Sequence, residues 1–216
     1  MDHEATQNGP SLDELVAVLA TTTHRVDRSI ERLHAATKGK PNPSNPVHAD
    51  ALRVWLNAWV CRIPYPQGGV DMLAESLDTW WKTHRRLTDV PLVDIDDRGL
   101  DKLADAYGDL VDLPAGISKL GRVRSFAPTA TSKLLWVLRP QTLCPWDVAI
   151  AKAAGGGTQR AGYLNHLHNA RGWSREITAQ ATERGIGDVS DHVGRPATSM
   201  VRIYDEWCYL TFTRGT

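Results

Sequence analysis

One acidic residue stands out by its setting. In the stretch Ser132-Lys133-Leu134-Leu135-Trp136-Val137-Leu138-Arg139-Pro140-Gln141-Thr142-Leu143-Cys144-Pro145-Trp146-Asp147, an apolar run breaks at Arg139-Pro140. A second proline follows at Pro145, and Asp147 opens another apolar segment. Proline disfavours helix in the residue before it, so Pro140 to Trp146 reads as a tight connector between two helices. Asp147 then falls at a helix N-cap, where its carboxylate accepts N–H groups of the next turn and is favoured in its ionised form. A fixed carboxylate of this kind can stabilise a developing positive charge and orient or activate water. The simpler alternative is a cap and no more, worth about 1 kcal/mol.

Around Asp147 lie groups suited to an anionic partner. Arg122, Arg124, Lys119, Lys133 and Lys152 are candidate phosphate contacts, and each would serve equally well on a solvated basic face. Other constellations carry less. His166-x-His168 on a helix points its two rings to different sides, which argues against a metal site. Gly155-Gly156-Gly157 with Thr158 lacks a phosphate loop's lysine and strand and reads as a helix stop. Asp94-x-Asp96-Asp97 has no glutamate at the twelfth position of a calcium loop and reads as a capped turn opening a helix. Cys61, Cys144 and Cys208 are odd in number and far apart, which excludes a disulfide framework, a zinc ribbon and a four-cysteine cluster.

The elements that must position these residues read as helical nearly throughout, an all-α chain. Ser11-x-x-Glu14 is a capping box, and Leu12, Leu15, Val16, Leu19, Val26, Ile30 and Leu33 recur at helical spacing up to Gly39. Lys38 to Pro46, with three prolines, is a loop. Further helices fit 48–63, 70–87, 99–111, 129–138, 147–154, 162–184 and 196–213, with short segments between Leu113 and Phe126. Strand-like alternation nowhere persists.

Composition is globular, with 42% hydrophobic and 23% charged residues. No apolar run approaches the roughly 20 residues of a membrane span, and the N-terminus lacks a signal peptide's pattern, so a cytoplasmic protein is expected. The net charge of zero hides an asymmetry: residues 1–117 carry 12 Lys/Arg against 18 Asp/Glu, and residues 118–216 carry 13 against 7. The second half can therefore present a basic face.

The connector Leu138-x-Pro140-x-x-x-x-Pro145-x-Asp147, with Ala130 at the start of the preceding helix and Ile150-Ala151 after it, resembles the helix-hairpin-helix DNA glycosylase superfamily. The likeness covers roughly Leu120 to Gly155. It implies two helical lobes with a cleft between them, the first lobe from 1–112 and 195–216, the hairpin and the acid in 113–194. It also implies that the N-terminal segment returns to pack on the C-terminal helices. The family hairpin carries glycines where this chain reads Ser125-Phe126-Ala127-Pro128-Thr129-Ala130, so the hydroxyls of Ser125, Thr129 and Thr131 would take part of the phosphate grip.

The lysine nucleophile of bifunctional members falls on Pro128, with Lys133 one helical turn away, which implies a monofunctional enzyme without Schiff-base chemistry. Asp147 would be the catalytic residue. A base everted from double-stranded DNA would stack in a pocket of Trp146, with Trp136, Trp55 and Trp59 behind it and Asn57 reading an edge. Helical spacing equally suits the last three tryptophans to a core. Arg122, Arg124, Lys133 and Lys152 would hold the backbone, and Pro64 to Gly69 is a candidate wedge. The implied substrate is an alkylated, mismatched or hypermodified phage base, removed by a monomer without cofactor or metal, in repair or in antiviral defence. The alternative is a non-catalytic helical module, binding DNA or a protein partner, in which Asp147 only caps a helix.

Overall fold

The computed structural model describes residues 9–22, 27–66, 68–154 and 156–214. Val26, Gln67 and Gly155, on which parts of the helix, wedge and glycine expectations rest, lie outside them. Ten α-helices are seen among the described residues: α1 (Leu12–Ala20), α2 (Arg28–Thr37), α3 (Pro46–Ala58), α4 (Met72–His84), α5 (Asp97–Val111), α6 (Ala127–Leu138), α7 (Val148–Ala153), α8 (Arg160–Glu183), α9 (Val189–His192) and α10 (Met200–Cys208). A 3-10 turn at Leu92–Asp94 and a π turn at Tyr209–Thr213 complete the helical elements. The chain is mostly helical, as its periodicity predicts.

Local chemistry sets most boundaries. Ser11 forms the expected capping box: its hydroxyl accepts from Glu14 N at 3.3 Å, and its own N–H donates to Glu14 Oε2 at 2.8 Å. Asn45 caps α3 ahead of Pro46, and Asp96 caps α5, accepting from Gly99 N at 2.7 Å. The expected helix from Leu12 to Gly39 is in fact two. Thr21 and Thr22 turn their hydroxyls back onto Val18 O and Leu19 O, ending α1, and Asp27 starts α2 by accepting from Ser29 N.

A second correction concerns Leu113 to Phe126. Pro114–Ile117 (β1) and Val123–Ser125 (β2) pair antiparallel, with a bulge between Pro114 and Gly116. The short segments expected there are thus a pair of strands, in a chain whose sequence shows no lasting strand-like alternation. β2 is exposed along its whole length, so it has no buried face to give it an alternating pattern.

The core is one hydrophobic cluster running from Leu12 to Cys208. The long α8 lies along α5, where Tyr107 and Tyr163 stack with ring centroids 4.1 Å apart. Arg160 of α8 reaches Asp101 and Asp105 of α5. The N-terminal segment does return to the C-terminal helices. Leu12 N donates to Gln180 Oε1, the Trp173 indole donates to Pro10 O, and the buried Arg195 donates to Leu19 O at the end of α1. Among the described residues no helix is long and apolar enough to cross a membrane.

Candidate active site around Asp147

The connector is pinned almost residue by residue. Arg139 Nε donates to Leu87 O at 2.6 Å, and Ser199 Oγ to Pro140 O at 2.7 Å. Tyr163 OH donates to Cys144 O at 3.0 Å, and His166 Nε2 lies 3.3 Å from Pro145 O. Burial holds the His166 ring down to about 4, so at neutral pH it is uncharged and donates to that carbonyl. Ser132, inside α6, bonds both backbone groups of Trp146. Residues of α6 and α8, with the N-cap of α10 and the loop after α4, therefore fix the path that ends at Asp147.

Asp147 is the N-cap of α7, as its sequence position predicts. Its Oδ1 accepts from Ile150 N at 2.9 Å, and its Oδ2 accepts from the Thr213 hydroxyl at 3.1 Å. The residue is half-buried, so the carboxylate is neither free nor sealed. One oxygen spends a lone pair on a backbone amide, and the other meets a side chain of the C-terminal π turn.

A second carboxyl stands nearby. Asp205 of α10 is 6% exposed and is pushed up to about 6. Burial is the main cause; Arg202 and Lys133 oppose it, and the charge of Asp147 adds to it. Arg202 forms an ion pair with Asp205 one helical turn away. It also lies over two indoles, its Cζ 5.5 Å from the Trp59 ring and 5.3 Å from Trp136. Lys133 Nζ sits 4.7 Å from the Trp59 ring and donates to Trp59 O at 3.3 Å. Trp55, Trp59 and Trp136 pack mutually with centroids 5.9 to 6.2 Å apart. The Nε1 groups of Trp55 and Trp136 are buried and find no hydrogen-bond partner among the described residues.

The expected site residues thus separate into groups. Asp147, Lys133, Trp55, Trp59 and Trp136 do come together, around Asp205 and Arg202. Trp146 does not join them as a free face beside the acid. It is 1% exposed, packed on Tyr107, Tyr163 and His166, with its indole donating to Tyr107 OH. Thr131 is fully buried and donates to Ala127 O, so it offers nothing to a phosphate. Asn57 spends its amide on the backbone, donating to Ile63 O and accepting from Ile63 N, and so closes a loop. Arg122, Arg124 and Ser125 are exposed on the β1–β2 hairpin, Thr129 is half-buried, and Lys152 is exposed at the end of α7.

Arg202, Asp205 and Thr213 were not foreseen. For the first two the one signal is Arg202-Ile203-Tyr204-Asp205, opposite charges three residues apart on one helix. Such spacing suggests an ion pair on a helix and says nothing of what that pair faces.

Chemically, the cluster sets a half-buried carboxylate and a buried carboxyl of raised pKa beside two cations and an indole triad. A strongly shifted carboxyl such as Asp205, set among charged and aromatic groups, is a common mark of a functional site. No family model matches the chain, and no curated protein sequence or solved structure matches it either.

Proposed function

We propose that the chain is a monofunctional DNA glycosylase that hydrolyses the N-glycosidic bond of an everted, modified base. Asp147 is its catalytic residue. As the bond from C1′ to the base nitrogen breaks, its electron pair leaves with the base and positive charge builds on the sugar. The ionised Asp147 stabilises that charge and directs a water onto C1′. The proton lost by the water passes to the departing base, and an abasic site remains. Of the two oxygens, Oδ2 takes a hydroxyl and not a backbone amide, so it is the one a water can share.

A single observation carries this reading. The connector holds Asp147 by contacts to Pro140, Cys144, Pro145 and Trp146, far more fixation than a simple helix cap requires. Such support is what a site needs to hold a carboxylate in productive geometry. The indole triad with Lys133 and Arg202 supplies aromatic and cationic groups in the same neighbourhood.

The test uses duplex DNA carrying a panel of alkylated, mismatched and hypermodified bases, treated with alkali after incubation. Alkali-labile breaks with the native protein, lost in Asp147→Asn while DNA binding persists, are the expected result. Binding without breaks across the whole panel would favour the non-catalytic module in which Asp147 is only a cap.

A further inference from the structure

A groove of about 590 Å³ runs between the loop that follows α3 and the β1–β2 hairpin. Of the residues that the sequence suggests for DNA contact, Asn57, Lys119 and Arg124 line it, whereas Asp147, Asp205, Arg202, Lys133 and the indole triad do not. Its charged lining is entirely cationic: Arg62 on one wall, Lys119 and Arg124 on the other. All three are exposed, and none forms an ion pair among the described residues. Unpaired cations on facing walls attract an extended anion.

The walls are built and not accidental. Val60 and Arg62 have φ of +62° and +56°, a region that a β-branched residue rarely enters. The Asn57 amide, bonded to both backbone groups of Ile63, holds them there. Strain of this kind persists where surrounding structure over-determines it, and it gathers at binding sites. Beside the groove, Gly116 of β1 lies so close to the Pro64 ring that a Cβ would come within 2.9 Å of it, so the hairpin backbone packs directly on that ring. The hairpin turn is tight, with Ser118 N donating to Arg122 O, and it presents Lys119 outward. Along the groove, Tyr65 is 57% exposed, with the Arg53 guanidinium 5.8 Å from its ring centroid.

We infer that this groove binds a single strand of nucleic acid, its phosphates on Arg62, Lys119 and Arg124 and a base against Tyr65. A positively charged groove with a free aromatic face is how unpaired strands are held without sequence reading. Exposed cations on both walls suit a repeating charge better than one buried anion. The exposed ring favours an unstacked base, which a duplex does not offer. This strand binding does not depend on Asp147 or on hydrolysis.

The probe is a fluorescent oligothymidylate of about a dozen nucleotides, unmodified, titrated by anisotropy at several salt concentrations. No base is released in this assay, so failure of the glycosylase reading leaves its outcome untouched. Three phosphate contacts predict a log–log salt slope of about −2, or roughly 20-fold weaker binding between about 50 and 200 mM salt. The triple variant R62A/K119A/R124A should flatten that slope and bind at least about tenfold more weakly. Tyr65→Ala should weaken binding by about tenfold at an unchanged slope, and Arg184→Ala should change neither. Native affinity and slope in the triple variant would overturn the inference. So would equal binding of inorganic polyphosphate or of a phosphopeptide.

Discussion

Ser132 Oγ joins both backbone groups of Trp146, donating to its carbonyl at 2.9 Å and accepting from its N–H at 3.1 Å. One hydroxyl, 14 residues back in α6, thereby fixes the residue immediately before Asp147. The site is fully buried, so no water replaces the hydroxyl if it is removed. Ser132→Ala leaves a buried donor and a buried acceptor unpaired, and the expected loss is about 1–3 kcal/mol in urea denaturation. Under the function proposed above, base release should fall as well, because Asp147 would lose its anchor. A loss below about 0.5 kcal/mol would mean that the connector does not rely on this bond.

The connector was legible in the sequence because its signals are local. Pro140, Pro145 and an N-capping aspartate restrict backbone directly, and the structure has a helix on either side, as they require. Trp146 was placed wrongly because adjacency in sequence is not adjacency of faces. Asp147 has extended backbone, φ −126° and ψ 180°, and extended neighbours send side chains to opposite sides. Trp146 therefore enters the core while Asp147 stays half-buried. The β1–β2 pair escaped notice for a different reason. An exposed three-residue strand has no buried face, and its partner alone makes it a strand. Arg202, Asp205 and Thr213 reach Asp147 and the indoles only through the packing of the C-terminal elements, which no spacing rule encodes.

The entry to α6 carries a strained residue. Ala127, at the entry to α6 and just before Pro128, has φ +62°, the conformation a glycine there would adopt freely. For an L-residue this region costs about 1–2 kcal/mol, while glycine costs about 0.5–1 kcal/mol more in unfolded-chain entropy. Ala127 is exposed, so its methyl contributes little packing. Ala127→Gly should then raise stability by about 0.5–1 kcal/mol. The same change at Ala130, buried in the helix interior, should lower it by about 1 kcal/mol or more. Thermal denaturation of the two variants decides the matter, and a loss in both would show that Ala127 is not strained.

Asp205 should make stability depend on pH in a direction opposite to that of an ordinary paired carboxylate. Its carboxyl is held at about 6 in the fold against 3.8 for the free group. Below pH 3.8 both folded and unfolded chains carry the proton and the group costs nothing. As pH rises from 3.8 to about 6 the unfolded chain releases it first, so stability falls, and above that range the full cost of about 3 kcal/mol remains. His166 acts oppositely over much of the same window. Held down to about 4 from 6.5, it contributes stability present above pH 6.5 and lost as the pH falls towards 4. The total curve therefore mixes two slopes, but the difference between Asp205→Asn and the native protein isolates one. Asparagine cannot ionise, so it stands in for the protonated acid at every pH, and Arg202 meets in the variant the neutral partner that the native protein gives it only at low pH. Urea denaturation at intervals from pH 4 to pH 7 should show the variant gaining on the native protein by about 3 kcal/mol. A difference that stays level across that range would mean that Asp205 titrates as a solvated acid, and that the charges gathered around Asp147 leave it unperturbed.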